Sequence, residues 1–109
     1  MRVWDISPIR LCRKHLLGEH REIHAIFSII YYGKKGYSHH PETLRWVGKL
    51  KALRKRHEAT VKEMLRRGYK HHSPLPRVND YGEQYEYVNS IYEQFEILMT
   101  KECECPRFL

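Results

Sequence analysis

An all-α fold with three main helices around a single core is what this sequence predicts. Three observations carry that expectation. Apolar residues recur at helical spacing in three separate segments, glycine or proline stands at the segment boundaries, and no stretch alternates as a β-hairpin would. At 109 residues the chain has the length of one domain with a modest core, taken here as residues 1–109.

The first helix is expected to follow Ser7-Pro8, a cap and first-turn pair, and to be regular by Arg13. Leu16, His20, Ile23, Phe27 and Ile30 form its stripe, and Gly33-Lys34-Lys35-Gly36 ends it in a cationic loop. Pro41 opens a short turn through Trp46. After Gly48 comes a second long helix with Leu50, Leu53, His57, Val61, Met64 and Leu65 on its apolar side, and Gly68 stops it. His71 to Asn79, with Pro74 and Pro76, reads as an extended connection. Asp80 is the expected cap of the third helix, whose stripe is Tyr85, Val88, Tyr92, Phe95 and Met99, with Ile91 and Leu98 beside it.

Composition narrows the function. The longest apolar run, Ile26 to Tyr32, is far shorter than the ~20 residues a membrane span needs. No signal peptide is visible, and three cysteines do not make an even disulfide framework, so a cytoplasmic, reducing setting is expected. Net charge is +7, and it is uneven: residues 45–70 hold ten basic and two acidic residues, whereas residues 80–109 hold two basic and seven acidic. A basic body with an acidic C-terminal third suits a polyanion met by one face.

The segment GEHREIHAIF, Gly18 to Phe27, resembles a zinc-protease helix but lacks its logic. That chemistry needs a glutamate directly after the first histidine. Here Glu22 lies about 200° around the helix from both His20 and His24. His20 falls in the apolar stripe and reads as a packed core histidine, and Cys103-Glu104-Cys105 has the wrong spacing for a zinc knuckle. Glu22 itself reads either as an exposed helix glutamate or as a functional carboxylate, with Gly18, His15 and Arg21 near its face.

His15 to Ile23, H-L-L-G-E-H-R-E-I, is similar to the H-L-x-x-E-x-R-E segment of the pyrimidine dimer DNA glycosylases, the family of the bacteriophage UV endonuclease type. Leu53 to Tyr69, L-R-K-R-x-x-x-x-V-K-E-M-L-x-R-G-Y, also resembles that family, as does G-Y-S-H-H-P at Gly36 to Pro41. With Met1-Arg2 and the G-E-Q-Y-E-Y segment, the likeness covers most of the chain.

The resemblance implies a DNA-repair glycosylase with abasic-site (AP) lyase activity that acts on pyrimidine dimers in damaged double-stranded DNA through a Schiff base and β-elimination. The α-amine of Met1 would be the nucleophile and Glu22 the catalytic carboxylate. Arg2, Lys14, His15, Arg21, Lys34 and Lys35 would contact DNA. No metal or organic cofactor is expected, nor a membrane, and the protein is expected to act as a monomer. The alternatives are a non-catalytic basic helical nucleic-acid-binding protein and an AP lyase with a different lesion specificity.

Overall fold

The computed structural model describes residues 2–71, 73–80, 82–101 and 103–107. Its elements are α1 (Arg13–Tyr31), α2 (Pro41–Leu44), α3 (Leu50–Arg66) and α4 (Ile91–Thr100), with 3-10 turns at Pro8–Arg10 and Cys105–Arg107. No strand occurs among the described residues, so the all-α expectation holds. No helix is long and apolar enough to cross a membrane.

The Ser7-Pro8 pair opens the 3-10 turn rather than α1, whose N-cap is Cys12. At the far end Gly33, at φ +66°, supplies the left-handed residue that lets the Lys34 amide reach back to the Ile29 carbonyl at 2.9 Å. The ring of His40 caps α2 by accepting the Glu42 amide at 3.1 Å, and proline occupies the first turn.

The α1 and α3 helices pack together and share their apolar faces between two clusters. One holds Val3, Ile23, Ile26, Phe27, Trp46, Leu50, Leu53 and Leu75; the other holds Trp4, Ile6, Leu11, Leu16, Met64 and Leu98. The expected single core is thus divided, and the N-terminal segment lies at the division. Residues 2–5 belong to no helix, and the neighbouring side chains Val3 and Trp4 go to different sides. Val3 enters one cluster and Trp4 the other, both almost fully buried. Burying either side chain contributes about 1.5–3 kcal/mol, enough to hold the segment in register.

Two sequence expectations fail, one on α3 and one after it. Leu65 is exposed, and Thr60 and Glu63 take buried places on its helix. The third long helix starts at Ile91, not after Asp80, and Ser90 caps it in a box with Glu93. Tyr85, Val88, Tyr92 and Met99 are exposed; the buried stripe is Gln94 and Leu98, flanked by Ile91 and Phe95. The physical reason lies at Asp80. Its carboxylate accepts the Leu50 and Lys51 amides at 2.7 and 2.9 Å, capping α3 from a distance because Lys49 at the N-cap position cannot. Gly82 then passes so close to Gly48 that a Cβ would meet the Gly48 carbonyl oxygen at 2.4 Å. The chain is held against the start of α3 there, and no helix forms at Asp80 or Gly82.

Candidate active site

Polar groups grip the backbone of residues 3–6 from three helices and from the segment after α2. From α1, Glu19 accepts the Trp4 amide at 2.7 Å. Just after α2, Arg45 donates to the Val3 carbonyl at 2.9 Å and to the Asp5 carboxylate at 3.0 Å. From α3, Arg56 donates to the Ile6 carbonyl at 2.7 Å, and from α4, Gln94 accepts the Asp5 amide at 2.8 Å. These groups brace one another. Arg45 is also held by Glu42 at 2.6 Å, and Arg56 meets both oxygens of Glu19 at 3.0 Å.

Glu19 is almost fully buried. Burial pushes its carboxyl up to about 7, opposed by Arg56, by the Trp4 amide and by Thr60. Every one of those partners donates, so the carboxylate is the form the surroundings are built to bond.

Alongside this clamp a cleft of about 520 Å³ opens between the N-terminal segment and α1. Arg2, Lys14, His15, Arg21 and Glu22 all line it, so five of the eight residues singled out from sequence converge. Met1 lies outside the described residues. Lys34 lines a neighbouring groove of about 580 Å³ that shares Glu22 with the cleft, and Lys35 stands further out on the loop. The cleft walls also include Trp4, Glu19, Lys101 and Val88, which the sequence did not mark. Trp4 sits edge-on to His15 at 5.7 Å, and the Arg2 guanidinium lies 4.8 Å from the Trp4 ring centre.

Gly18 forms part of the wall, and a Cβ there would meet nothing within 4 Å. Nothing in the protein requires a glycine in the middle of α1, where it costs roughly 0.5–1 kcal/mol relative to alanine. Its missing side chain leaves open space on the cleft wall that Glu22 shares. Gly18→Ala is therefore expected to stabilise the fold by up to about 1 kcal/mol while weakening substrate turnover. Denaturant unfolding and cleavage assays read the two effects, and unchanged turnover would remove this role for Gly18.

His15 is less free than expected of a DNA contact. Its Nδ1 lies 3.1 Å from the Cys105 sulfur and 3.3 Å from that of Cys12. Burial, then Lys101 and Lys14, hold its pKa below the ordinary histidine value. His20 is not a simple core histidine either. It stands in a group with His24, His57 and His71, and burial together with those three rings pushes it down to about 4. At neutral pH the ring is uncharged.

Residues 1–77 match the family model of the pyrimidine dimer DNA glycosylases. The chain belongs to that family. No curated protein and no solved structure matches it. As a pyrimidine dimer DNA glycosylase it is a DNA-repair protein whose substrate is DNA. The matched region contains the clamped N-terminal segment, α1 to α3 and the wall of the cleft that carries Glu22, whereas α4, Lys101 and the last two cysteines lie beyond it.

Proposed function

We propose that this glycosylase acts on pyrimidine dimers in duplex DNA through the α-amine of Met1, with AP lyase activity following base release. The amine attacks C1′ of the damaged nucleotide, and the base departs with the bonding electron pair. Loss of the amine proton and ring opening leave a Schiff base, after which removal of a C2′ proton expels the 3′ phosphate. Glu22 stabilises the positive sugar and then handles protons.

The observation that carries this reading is the clamp. Four buried or half-buried polar side chains fix residues 3–6, and Arg2, next to the terminus, lines the same cleft as Glu22. A reacting group misplaced by ~1 Å can lose ~100-fold in rate, which gives so elaborate a restraint its purpose. An α-amine also suits the chemistry, because its pKa of ≈ 7.7–8.0 leaves far more neutral nucleophile at physiological pH than lysine's ≈ 10.4. A dimer already distorts the duplex, which lowers the few kcal/mol needed to expose its C1′.

Arg2, Lys14 and Arg21 ring the cleft with positive charge suited to phosphates, and His15 contributes through Nε2 because Nδ1 faces the thiols. Lys34 and Lys35 would hold phosphates farther along. Neutralising both lysines is expected to weaken damaged and undamaged duplex alike and to flatten the salt dependence of binding by roughly two phosphate contacts. A loss confined to damaged DNA would assign the loop to lesion recognition instead.

Borohydride trapping on abasic-site duplex tests the proposal. A Schiff-base enzyme becomes covalently attached to the DNA; a protein that only binds, the chief alternative for a basic helical chain, does not.

A further inference from the structure

We propose that Cys12, His15, Cys103 and Cys105 form a structural zinc site that fastens the C-terminal segment to the start of α1. One ligand atom from each of the four lies within 4.8 Å of all the others. A tetrahedral zinc with Zn–S ≈ 2.3 Å and Zn–N ≈ 2.0–2.1 Å spaces its ligand atoms about 3.4–3.8 Å apart. The observed His15–Cys105 and His15–Cys12 separations, 3.1 and 3.3 Å, are close to that. All three cysteines of the chain are used, and none is in a disulfide.

The surroundings suit metal-bound thiolates. The Cys12 amide donates to the Cys105 sulfur at 3.1 Å, and the Cys105 amide to the Cys103 sulfur at 3.4 Å. Three thiolates and a neutral imidazole around Zn²⁺ carry one net negative charge, and Lys14 and Lys101 stand beside His15 on the cleft wall. Soft thiolate donors select zinc over hard cations, and four protein ligands leave no open position for catalysis. The site spans chain that sequence spacing could not connect: Cys12 belongs to the region matched by the family, whereas Cys103 and Cys105 follow α4. Closing it anchors the end of α4, the helix whose Gln94 holds the Asp5 amide.

A separate observation carries a second site of the same kind. His20 and His24 on α1, His57 on α3 and His71 beyond Gly68 also bring ligand atoms within 4.8 Å of one another. Among the described residues the Nε2 atoms of His20 and His71 are buried without a hydrogen-bond partner, and Nε2 of His24 and His57 face each other at 3.1 Å. Glu58 lies 3.2 Å from Nδ1 of His57, the outer carboxylate that commonly orients a metal-bound histidine. Two orphaned buried nitrogens are costly unless something binds them. A divalent transition ion such as Zn²⁺ fits an all-imidazole set.

The test is metal content of the full chain, stripped with chelator, reloaded with Zn²⁺ and passed over a desalting column. Two zinc ions per chain are expected. Cys103→Ser with Cys105→Ser should lose one, and His57→Ala with His71→Ala the other. Reloading wild-type protein with Co²⁺ keeps the question open should a variant misfold: the thiolate site alone gives intense near-ultraviolet sulfur-to-cobalt absorption. Zinc without that absorption overturns the cysteine site, and a single zinc accompanied by it overturns the histidine site. No retained zinc overturns both.

Discussion

In Glu22→Gln, damaged duplex is expected to bind as in wild type while base release falls by about 10²–10⁴-fold, the usual contribution of a positioned acid–base group. The amide keeps the shape of the side chain at the cleft wall but loses the negative charge and the proton-accepting site that the proposed mechanism would use. On a ready-made abasic site no base has to leave. The variant should then still form trappable Schiff base and yet eliminate slowly. Single-turnover cleavage alongside a binding titration separates these outcomes, and wild-type base release in Glu22→Gln would reduce the residue to a bystander on the cleft wall.

Arg45→Ala is expected to cost about 3–5 kcal/mol of folding stability, the scale of removing one partner from a buried ion pair. Its guanidinium is almost fully enclosed and holds Asp5, Glu42 and the Val3 and Glu86 carbonyls at once, so truncation strands two carboxylates and two acceptors. Arg45→Lys keeps the charge but not the planar fork and cannot serve all four. Where that variant remains folded, base release should fall with little loss of DNA affinity, because the segment that leads to the terminus is loosened. Urea unfolding reads the stability change. A loss below about 1 kcal/mol, typical of an exposed ion pair, would contradict the clamp.

Sequence reading worked where the signal is local. Helical periodicity located α1 and α3, and the short segment around Glu22 pointed to the cleft wall, with Gly18 as the residue that makes room. It failed where one residue serves a distant element. Asp80 reads as a cap for the helix that follows it, yet it caps α3, thirty residues earlier. Tyr85, Val88, Tyr92 and Met99 mimic an apolar stripe, while the buried position belongs to Gln94, whose amide is needed by Asp5. The same limit hid the clamp. Arg45 and Arg56 look like two more cations in a basic stretch, and only their reach to the Val3 and Ile6 carbonyls sets them apart from solvated neighbours. His20 and His24 made an incomplete pair until His57 and His71 were brought to them.

Mapping the borohydride-fixed sugar onto the protein tests the central claim most directly. Two lysine amines line the cleft, those of Lys14 and Lys101. Peptide mass analysis of the trapped complex is expected to find the adduct on the α-amine of Met1, and acetylating that amine should abolish both trapping and cleavage. An adduct on Lys14 or Lys101, or a blocked terminus that still cleaves at a near-normal rate, would contradict it.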